Sequence, residues 1–208
     1  MARNSNRRTD MRTRIAAAAA RLMAEDGIDD FALAKRKAAR QLGASETQSA
    51  MPRNDEIEAE LRAYRALYQA DEHPQLVAEL RRIALDAMQA LERFSPYLTG
   101  PVLKGIAGPY AEIELQLFPD STKDVEIFLL DRNIAFTTQE GRRYSGDQPR
   151  AVSLISLLWQ GVPLRLAILD PRDERLSLKT SVAGRSIERA GIAEVGAILS
   201  SGIGDKME

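Results

Sequence analysis

The spacing of apolar residues changes near Pro96. Before this point apolar residues recur every three or four positions, as on the buried face of a helix. After it, apolar and polar residues alternate, which is the pattern of half-buried β-strands. The sequence therefore predicts an α+β protein, with a helical first half and a sheet in the second half.

Four helices are predicted in the first half, and favourable caps or glycines mark their ends. They extend over about Asp10–Ala24, Asp30–Gly43, Asn54–Tyr68 and Pro74–Phe94. Residues 44–54 are predicted to form a loop, because Pro52 forbids a continuous helix there. The domain prediction is a disordered tail at 1–8, a helical region at 9–94, an α+β domain at 95–200 and a tail at 201–208.

The second half is predicted to contain five strands and two helices. The strands are Pro101–Lys104, Ala111–Phe118, Ile134–Gln139, Val152–Trp159 and Val162–Leu169. Ser121 and Asp124 form a capping box for a helix that runs to about Arg132, and a last helix spans about Ser186–Leu199. Hairpin turns are predicted at Glu140-Gly141 and at Gln160-Gly161.

Composition excludes several kinds of chemistry. The 208 residues include no cysteine, so disulfides, thiolate zinc sites and cysteine nucleophiles are excluded. The single histidine, His73, disfavours histidine-based acid–base catalysis. The sequence has no apolar run long enough to cross a membrane, so we expect a cytoplasmic protein with no membrane partner.

Charge is distributed unevenly along the chain. Residues 1–45 contain ten basic and five acidic residues, a net charge of +5 in a chain whose total is −1. This asymmetry is typical of a segment with an anionic partner. A solvated, arginine-rich tail and helix face explain it equally well.

Paired carboxylates in the segment Gly100–Asp120 are the strongest candidate for chemistry. Glu112 and Glu114 lie two residues apart in an apolar run that follows a glycine-rich turn. On a strand both side chains would point to the same face. Burying two carboxylates in this way is costly unless they bind a cation or lie at an exposed edge.

A glycine-rich turn, then acid–apolar–acid–apolar on a strand, then a helix and a hairpin resembles the nucleotidyltransferases of the DNA polymerase β type. Glu112-Ile113-Glu114-Leu115 matches the acidic part of their motif, and Leu103-Lys104-Gly105-Ile106 loosely matches the glycine part. The resemblance implies a nucleotidyltransferase-like mixed β-sheet domain on which the helical region packs. It also implies binding of a nucleoside triphosphate and transfer of a nucleotidyl group to a protein or nucleic-acid acceptor.

The resemblance assigns roles to particular residues. Glu112 and Glu114 would hold Mg²⁺ and act catalytically, with Asp170 as the third acid. Gly105 and Gly108 would form the phosphate loop. Two basic sites, Lys104 and the Arg142-Arg143 pair, are placed to contact phosphate.

The chain also departs from the family pattern. Ile106 replaces a small or hydroxyl residue, and both paired acids are glutamate. The middle of the strand Val162–Leu169 carries Arg165, and the nearest acid, Asp170, lies at its end. Three interpretations follow: an active nucleotidyltransferase, a retained fold with altered or lost catalysis, and a solvated strand face.

The whole chain is similar to a group of small bacterial nucleotidyltransferase-like proteins, some of which carry the name UDP-N-acetylmuramate–alanine ligase. Ligases of that type bind ATP through a loop that ends in Gly-Lys-Ser/Thr. This chain contains no Gly-Lys dipeptide, so ligase chemistry is not expected.

The first two helices resemble the start of a TetR-type DNA-binding domain. The positions of Gly27, Phe31, Ala38 and Gly43 carry this resemblance, which implies a DNA-binding transcriptional regulator as an alternative function. The candidate nucleic-acid contacts are Lys35, Arg36, Lys37 and Arg40. A non-catalytic interaction protein is the remaining alternative.

Overall fold

The structure is a computed structural model that describes the backbone of residues 2–44, 51–182 and 184–204. Side chains are described in these ranges except at 2–9 and 202–204. The described chain begins with helices and continues into a six-stranded mixed sheet. This arrangement confirms the predicted α+β class.

The elements have the following bounds. The helices are α1 (Ala2–Glu25), α2 (Phe31–Gln41), α3 (Asn54–Tyr68), α4 (Glu72–Ala90), α5 (Gly100–Lys104), α6 (Thr122–Asp131) and α7 (Ile192–Gly204). The strands are β1 (Tyr97–Thr99), β2 (Ile113–Leu117), β3 (Phe136–Ser145), β4 (Gln148–Trp159), β5 (Val162–Ile168) and β6 (Leu178–Lys179).

The termini differ from the predicted tails. Helix α1 begins at Ala2, so it includes most of the segment for which a disordered tail is predicted. Helix α7 extends to Gly204, and residues 205–208 lie outside the described residues. Part of the predicted loop, residues 45–50, also lies outside them.

The chain divides into two compact units, each made of two segments. The first unit is Met1–Leu76 with Ile106–Tyr110, and the second is Val77–Gly105 with Ala111–Glu208. This division differs from the predicted segments 9–94 and 95–200, because it falls inside α4 and assigns a short segment after α5 to the first unit.

The first unit has an apolar core formed by α1, α2 and α3. Helix α1 packs on both α2 and α3. Buried core residues include Ile15, Ala19, Ala38, Ile57 and Leu61. Many of the others are alanines, whose small side chains let helix axes approach closely.

Helix caps in this unit follow the sequence signals in part. Asp30 caps α2 as predicted, since its Oδ1 accepts hydrogen bonds from the backbone N–H groups of Ala32 and Leu33, at 2.6 and 3.1 Å. The predicted cap of α3, Asn54, is instead the first helical residue. The N-cap is Arg53, whose backbone N–H donates to Glu56 Oε2 at 2.7 Å.

A buried arginine fixes the segment Ile106–Tyr110 in the first unit. Arg65 is 4% exposed, and its Nη1 donates to the carbonyl oxygen of Ala107 at 3.0 Å. The same nitrogen lies 2.8 Å from His73 Nε2. Burial lowers the pKa of Arg65, and the negative charge of Asp29 opposes this effect.

The second unit contains the sheet, whose strand order is β1-β2-β5-β4-β3-β6. Only β2 and β5 pair in parallel, and the other neighbours are antiparallel. One face of the central strands is apolar and buried. Its members on β2 and β5 are Ile113, Leu115, Leu117, Leu164, Leu166 and Ile168.

The predicted strand Pro101–Lys104 is wrong, because these residues form helix α5. Proline is favourable in the first helical turn, so Pro101 is compatible with this start. Arg81 then donates to two carbonyl oxygens near the end of the helix, those of Val102 at 3.1 Å and Leu103 at 2.8 Å. The carbonyl of Val102 also accepts from the backbone N–H of Gly105 at 3.3 Å, so Arg81 adds to the bonds that hold the end of this short helix.

One predicted turn is wrong and one is confirmed. Glu140 and Gly141 lie inside β3, where a Cβ on Gly141 would lie 3.1 Å from Val152 of β4. Gly141 therefore allows β3 and β4 to pack closely. The chain turns after Ser145 instead, and Ser145 pairs with Gln148. The turn at Gln160-Gly161 is present, with φ angles of +51° and +82° as a primed hairpin turn requires.

We predict that Arg65→Met exposes the backbone of residues 106–110. The carbonyl of Ala107 would lose its charged donor and keep its contact with His73 Nε2 at 3.0 Å, and we expect a loss of about 1–3 kcal/mol, or roughly 5- to 150-fold in local opening. Hydrogen–deuterium exchange of a peptide covering these residues measures the effect. Arg62→Met is the control, because Arg62 is exposed on the same helix. Equal exchange in both variants would contradict the anchoring role of Arg65.

Candidate functional site

Of the predicted pair of glutamates, Glu114 lies on β2 and Glu112 comes immediately before this strand. Ile113 and Leu115 are fully buried on the opposite face, and Glu112 and Glu114 alternate with them. The charge of Glu112 raises the pKa of Glu114, so the two carboxylates interact. The same-face geometry expected from the sequence is therefore present.

An arginine of the neighbouring strand lies between these acids. Arg165 of β5 is in register with Glu114. Its Nη2 forms an ion pair with Glu112 Oε2. The side chains of Arg165 and Glu112 are 43% and 22% exposed, so part of the guanidinium faces solvent.

Glu114 is the more buried carboxylate. Burial raises the pKa of Glu114, and this is the largest effect on it. The positive charges of Arg165, Arg143 and Lys104 oppose the shift without cancelling it. The site thus combines two carboxylates with three cations, and Glu114 experiences all of them.

Gly100 is the glycine next to the acidic pair. It begins α5 with a φ of +71°, a conformation that favours glycine. A Cβ added there would lie 2.9 Å from the carboxyl carbon of Glu114. Thr99 precedes it and donates from Oγ1 to the backbone oxygen of Glu114 at 3.3 Å. The backbone at Gly100 is therefore bare at the point where it meets Glu114.

The glycines assigned to a phosphate loop have other surroundings. Gly105 ends α5 with a φ of +70° in the second unit. Gly108 belongs to the first unit, where its Cβ position lies 3.5 Å from Arg65 Nη2 and 3.6 Å from Asp29 Oδ1. Of the three predicted nucleotide-binding residues, only Lys104 has an electrostatic effect on Glu114.

Asp170 is not brought to the glutamate pair. It caps a short 3₁₀ turn, where its Oδ1 accepts from the backbone N–H of Arg172 at 2.8 Å. Arg165 marks the level of Glu114, and Asp170 lies five residues beyond it. At a rise of about 3.3 Å per residue this is roughly 16 Å. The acid expected on the later strand is thus a turn cap.

Two further arginines lie on the same face of the sheet. Arg143 of β3 pairs with Arg150 of β4, and strand register places both on the face that carries Glu114. The Nε atoms of both are buried and have no hydrogen-bond partner. Burial lowers the pKa of Arg143, and Glu114 opposes this effect. Arg150 also approaches Asp173, at 3.7 Å.

Sequence reasoning missed Gly100 and Arg150. The sequence does contain a local signal for Gly100. The run Thr99-Gly100-Pro101 is typical of the end of a strand. No local signal identifies Arg150, since its position depends on the pairing of β3 with β4.

The basic residues of α2 make contacts inside the first unit. Lys35 Nζ donates to Asn54 Oδ1 at 2.7 Å, and burial lowers the pKa of Lys35. Lys37 pairs with Asp26 at 2.8 Å. Arg36 and Arg40 are exposed. The candidate nucleic-acid contacts Lys35 and Lys37 are therefore engaged within the protein.

Mg²⁺, which the resemblance implies, does not fit these residues. The ion requires near-octahedral oxygen ligands, usually one or two carboxylates with waters and phosphates. Glu112 is engaged by Arg165, and the position across from Glu114 holds this arginine instead of an acid. Within 2–44, 51–182 and 184–204, no group of three or more His, Asp or Glu side chains is placed to share a metal ion.

Comparison with known proteins gives no assignment. No family model matches the chain, and no curated protein matches it. In the part of the chain that the structure describes, no helix is both long and apolar enough to cross a membrane.

We predict that Gly100→Ala destabilises the second unit more than Gly146→Ala does. Both glycines have positive φ, but a Cβ at Gly146 meets nothing within 4 Å. Gly146→Ala is the control, and backbone strain should lower its free energy of unfolding by only about 1–2 kcal/mol. Gly100→Ala also displaces the carboxylate of Glu114, which should lower the free energy of unfolding by about 1–3 kcal/mol more.

Denaturant unfolding followed by tryptophan fluorescence measures this difference. Trp159 is the only tryptophan, and its indole N–H donates to Asp86 Oδ2 at 2.8 Å in the second unit. Equal losses in the two alanine variants would show that Gly100 does not abut Glu114.

We predict that Glu114→Gln stabilises the protein at neutral pH. Because burial raises the pKa of Glu114, the folded state binds its proton more readily than the unfolded chain does. Glu114 therefore contributes less stability as pH rises from the unfolded pKa to the raised folded pKa. The gain from Glu114→Gln should be absent at low pH and constant above the folded pKa.

The free energy of unfolding, measured from pH 4 to pH 8, checks this prediction. Glu140→Gln is the control, since Glu140 is an exposed residue of β3. A stability gain that does not depend on pH, or one shared by the control, would contradict a buried carboxylate at residue 114.

Proposed function

We propose that this protein binds a nucleoside triphosphate on the face of β2 and β5 that carries Glu114 and Arg165, and that it is nucleotidyltransferase-like with weak or lost transfer activity. The phosphates would lie beside Glu112, Glu114 and Arg165. If transfer persists, a protein or nucleic acid would be the acceptor. A cytoplasmic location remains part of this proposal.

One observation carries the proposal: the bare backbone of Gly100 abuts the carboxylate of Glu114. In nucleotidyltransferases of the type that the sequence resembles, a glycine turn lets phosphates approach the main chain beside paired acids. Here the turn at Gly100 and the pair Glu112 and Glu114 come together in one unit. The resemblance assigns the phosphate loop to Gly105 and Gly108, and this proposal places the glycine turn at Gly100 instead.

Weak catalysis follows from the position of Arg165. Transfer assisted by two metal ions depends on carboxylates that hold both ions between the attacking and leaving oxygens. The residue across from Glu114 is Arg165, and the nearest later acid, Asp170, caps a turn. The residues support binding of phosphates better than they support two-metal chemistry.

The alternative functions remain predictions. A DNA-binding regulator would use Lys35, Arg36, Lys37 and Arg40, of which Lys35 and Lys37 have partners in the first unit. DNA binding that weakens steeply as the salt concentration rises would distinguish this regulator from the other candidate functions. A non-catalytic interaction protein would show neither nucleotide binding nor DNA binding.

We predict that excess ATP, GTP, CTP or UTP raises the melting temperature, because a ligand that binds only the folded state stabilises it. At one hundred times the Kd this gain is about 2.7 kcal/mol. Thermal unfolding of the full chain with magnesium chloride present measures the shift. No shift with any of these nucleotides would contradict the proposed function.

The location of the site is tested with two double variants. Glu112→Gln with Glu114→Gln removes both charges beside the proposed phosphates, so it should change the size of the nucleotide shift. Glu126→Gln with Glu140→Gln removes the same charge elsewhere in the second unit and should leave the shift unchanged. Identical nucleotide shifts in the two double variants would place the nucleotide elsewhere.

A further inference from the structure

We infer that Arg165 takes the place of a divalent cation at the glutamate pair, so that the triphosphate binds to arginines without Mg²⁺. This inference rests on the proposed function and names the chemistry of its site. It is carried by the contacts of Arg165 and by the charges around Glu114.

The first step is the position of the guanidinium. Arg165 is in register with Glu114 on the adjacent parallel strand, and it is ion-paired with Glu112. It therefore neutralises Glu112 directly and acts on Glu114 through its positive charge. A guanidinium fixed on a strand cannot be removed by a chelator, so its charge at this position is permanent.

The second step is the balance of charge. Arg165, Arg143 and Lys104 act on Glu114 together with Glu112, which gives three positive charges against two negative ones. Because cations of the chain already act on both carboxylates, the pair gains little from a divalent cation. The partly exposed side chain of Arg165 attracts the triphosphate, which is strongly anionic.

The third step is the supply of hydrogen-bond donors. A guanidinium has five N–H donors in a planar fork that matches two phosphate oxygens. Arg165 remains 43% exposed after pairing with Glu112, so donors of this fork face solvent. On the same face, Arg143 interacts electrostatically with Glu114, so its positive charge adds to that of Arg165.

The test compares the wild-type chain in excess EDTA and in magnesium chloride, with ATP, GTP, CTP or UTP as the probe. We expect the nucleotide that gives the largest shift in melting temperature to bind at least as tightly in EDTA, because Mg²⁺ neutralises phosphate charge that the arginines would otherwise bind. Calorimetric titration of this nucleotide gives the Kd in each buffer.

Arg165→Gln should weaken binding in EDTA by about 10- to 150-fold, the loss expected for hydrogen bonds to a charged group. Arg82→Gln is the matched control, because Arg82 is an exposed arginine on α4 of the same unit and has no place in the proposed site. It should leave the Kd unchanged. The double variant Glu112→Gln with Glu114→Gln should bind more tightly in EDTA, since it removes only negative charge.

Arg165→Asp provides a second variant. It adds a third carboxylate at the position across from Glu114, so Mg²⁺ alone should raise its melting temperature while the wild type does not respond. If Arg165→Asp does not fold without Mg²⁺ and folds with it, the inference is equally supported. A wild-type protein that is itself stabilised by Mg²⁺ alone would overturn it.

The outcomes separate the inference from the proposed function. Nucleotide binding that requires Mg²⁺ and survives Arg165→Gln would overturn the inference and leave the proposed function intact. No binding in either buffer would overturn both. Inorganic tripolyphosphate is the final probe: if it binds as tightly as the nucleotide and depends on Arg165, the arginine site is supported and nucleotide specificity is contradicted.

Discussion

The position of Arg165, ion-paired with Glu112 and in register with Glu114, is the constraint on which the functional interpretation depends. Two carboxylates on one face of a strand, one of them desolvated, are stable only with compensating charge nearby. The parallel pairing of β2 with β5 supplies that charge at the level of Glu114. Because the compensating group is covalently part of the chain, the face has a fixed electrostatic character, and the proposed binding of an anion without a metal ion rests on it.

The sequence predicted those parts of the fold that depend on local pattern. Helical periodicity identified α1 to α4, and alternation identified β2, β4 and β5. Elements whose structure depends on contacts with distant segments were harder to predict. Pro101 suits either a strand or a first helical turn, and Arg81 resolves the choice by binding the carbonyls of α5. Gly141 resembles a turn residue, yet its role is to pack against Val152.

The candidate site was predictable to the same limited extent. Alternation alone places Glu112 and Glu114 on one face, and the structure agrees. Strand register, which no local pattern reveals, decides what lies across from them. Register brings Arg165 to Glu114 and leaves Asp170 as a turn cap, and it adds Arg143 and Arg150 to the face. The division into two units likewise separates Gly108 from Gly105.

The most direct measurement is a nuclear magnetic resonance titration of the full chain labelled at arginine nitrogens and glutamate carboxyl carbons. With nucleoside triphosphate in excess EDTA, the account predicts a large change in the guanidinium signal of Arg165, assigned through Arg165→Gln. It also predicts that Mg²⁺ alone leaves the carboxyl signals of Glu112 and Glu114 unchanged. A carboxyl response to Mg²⁺, with no guanidinium response to the nucleotide, would contradict it.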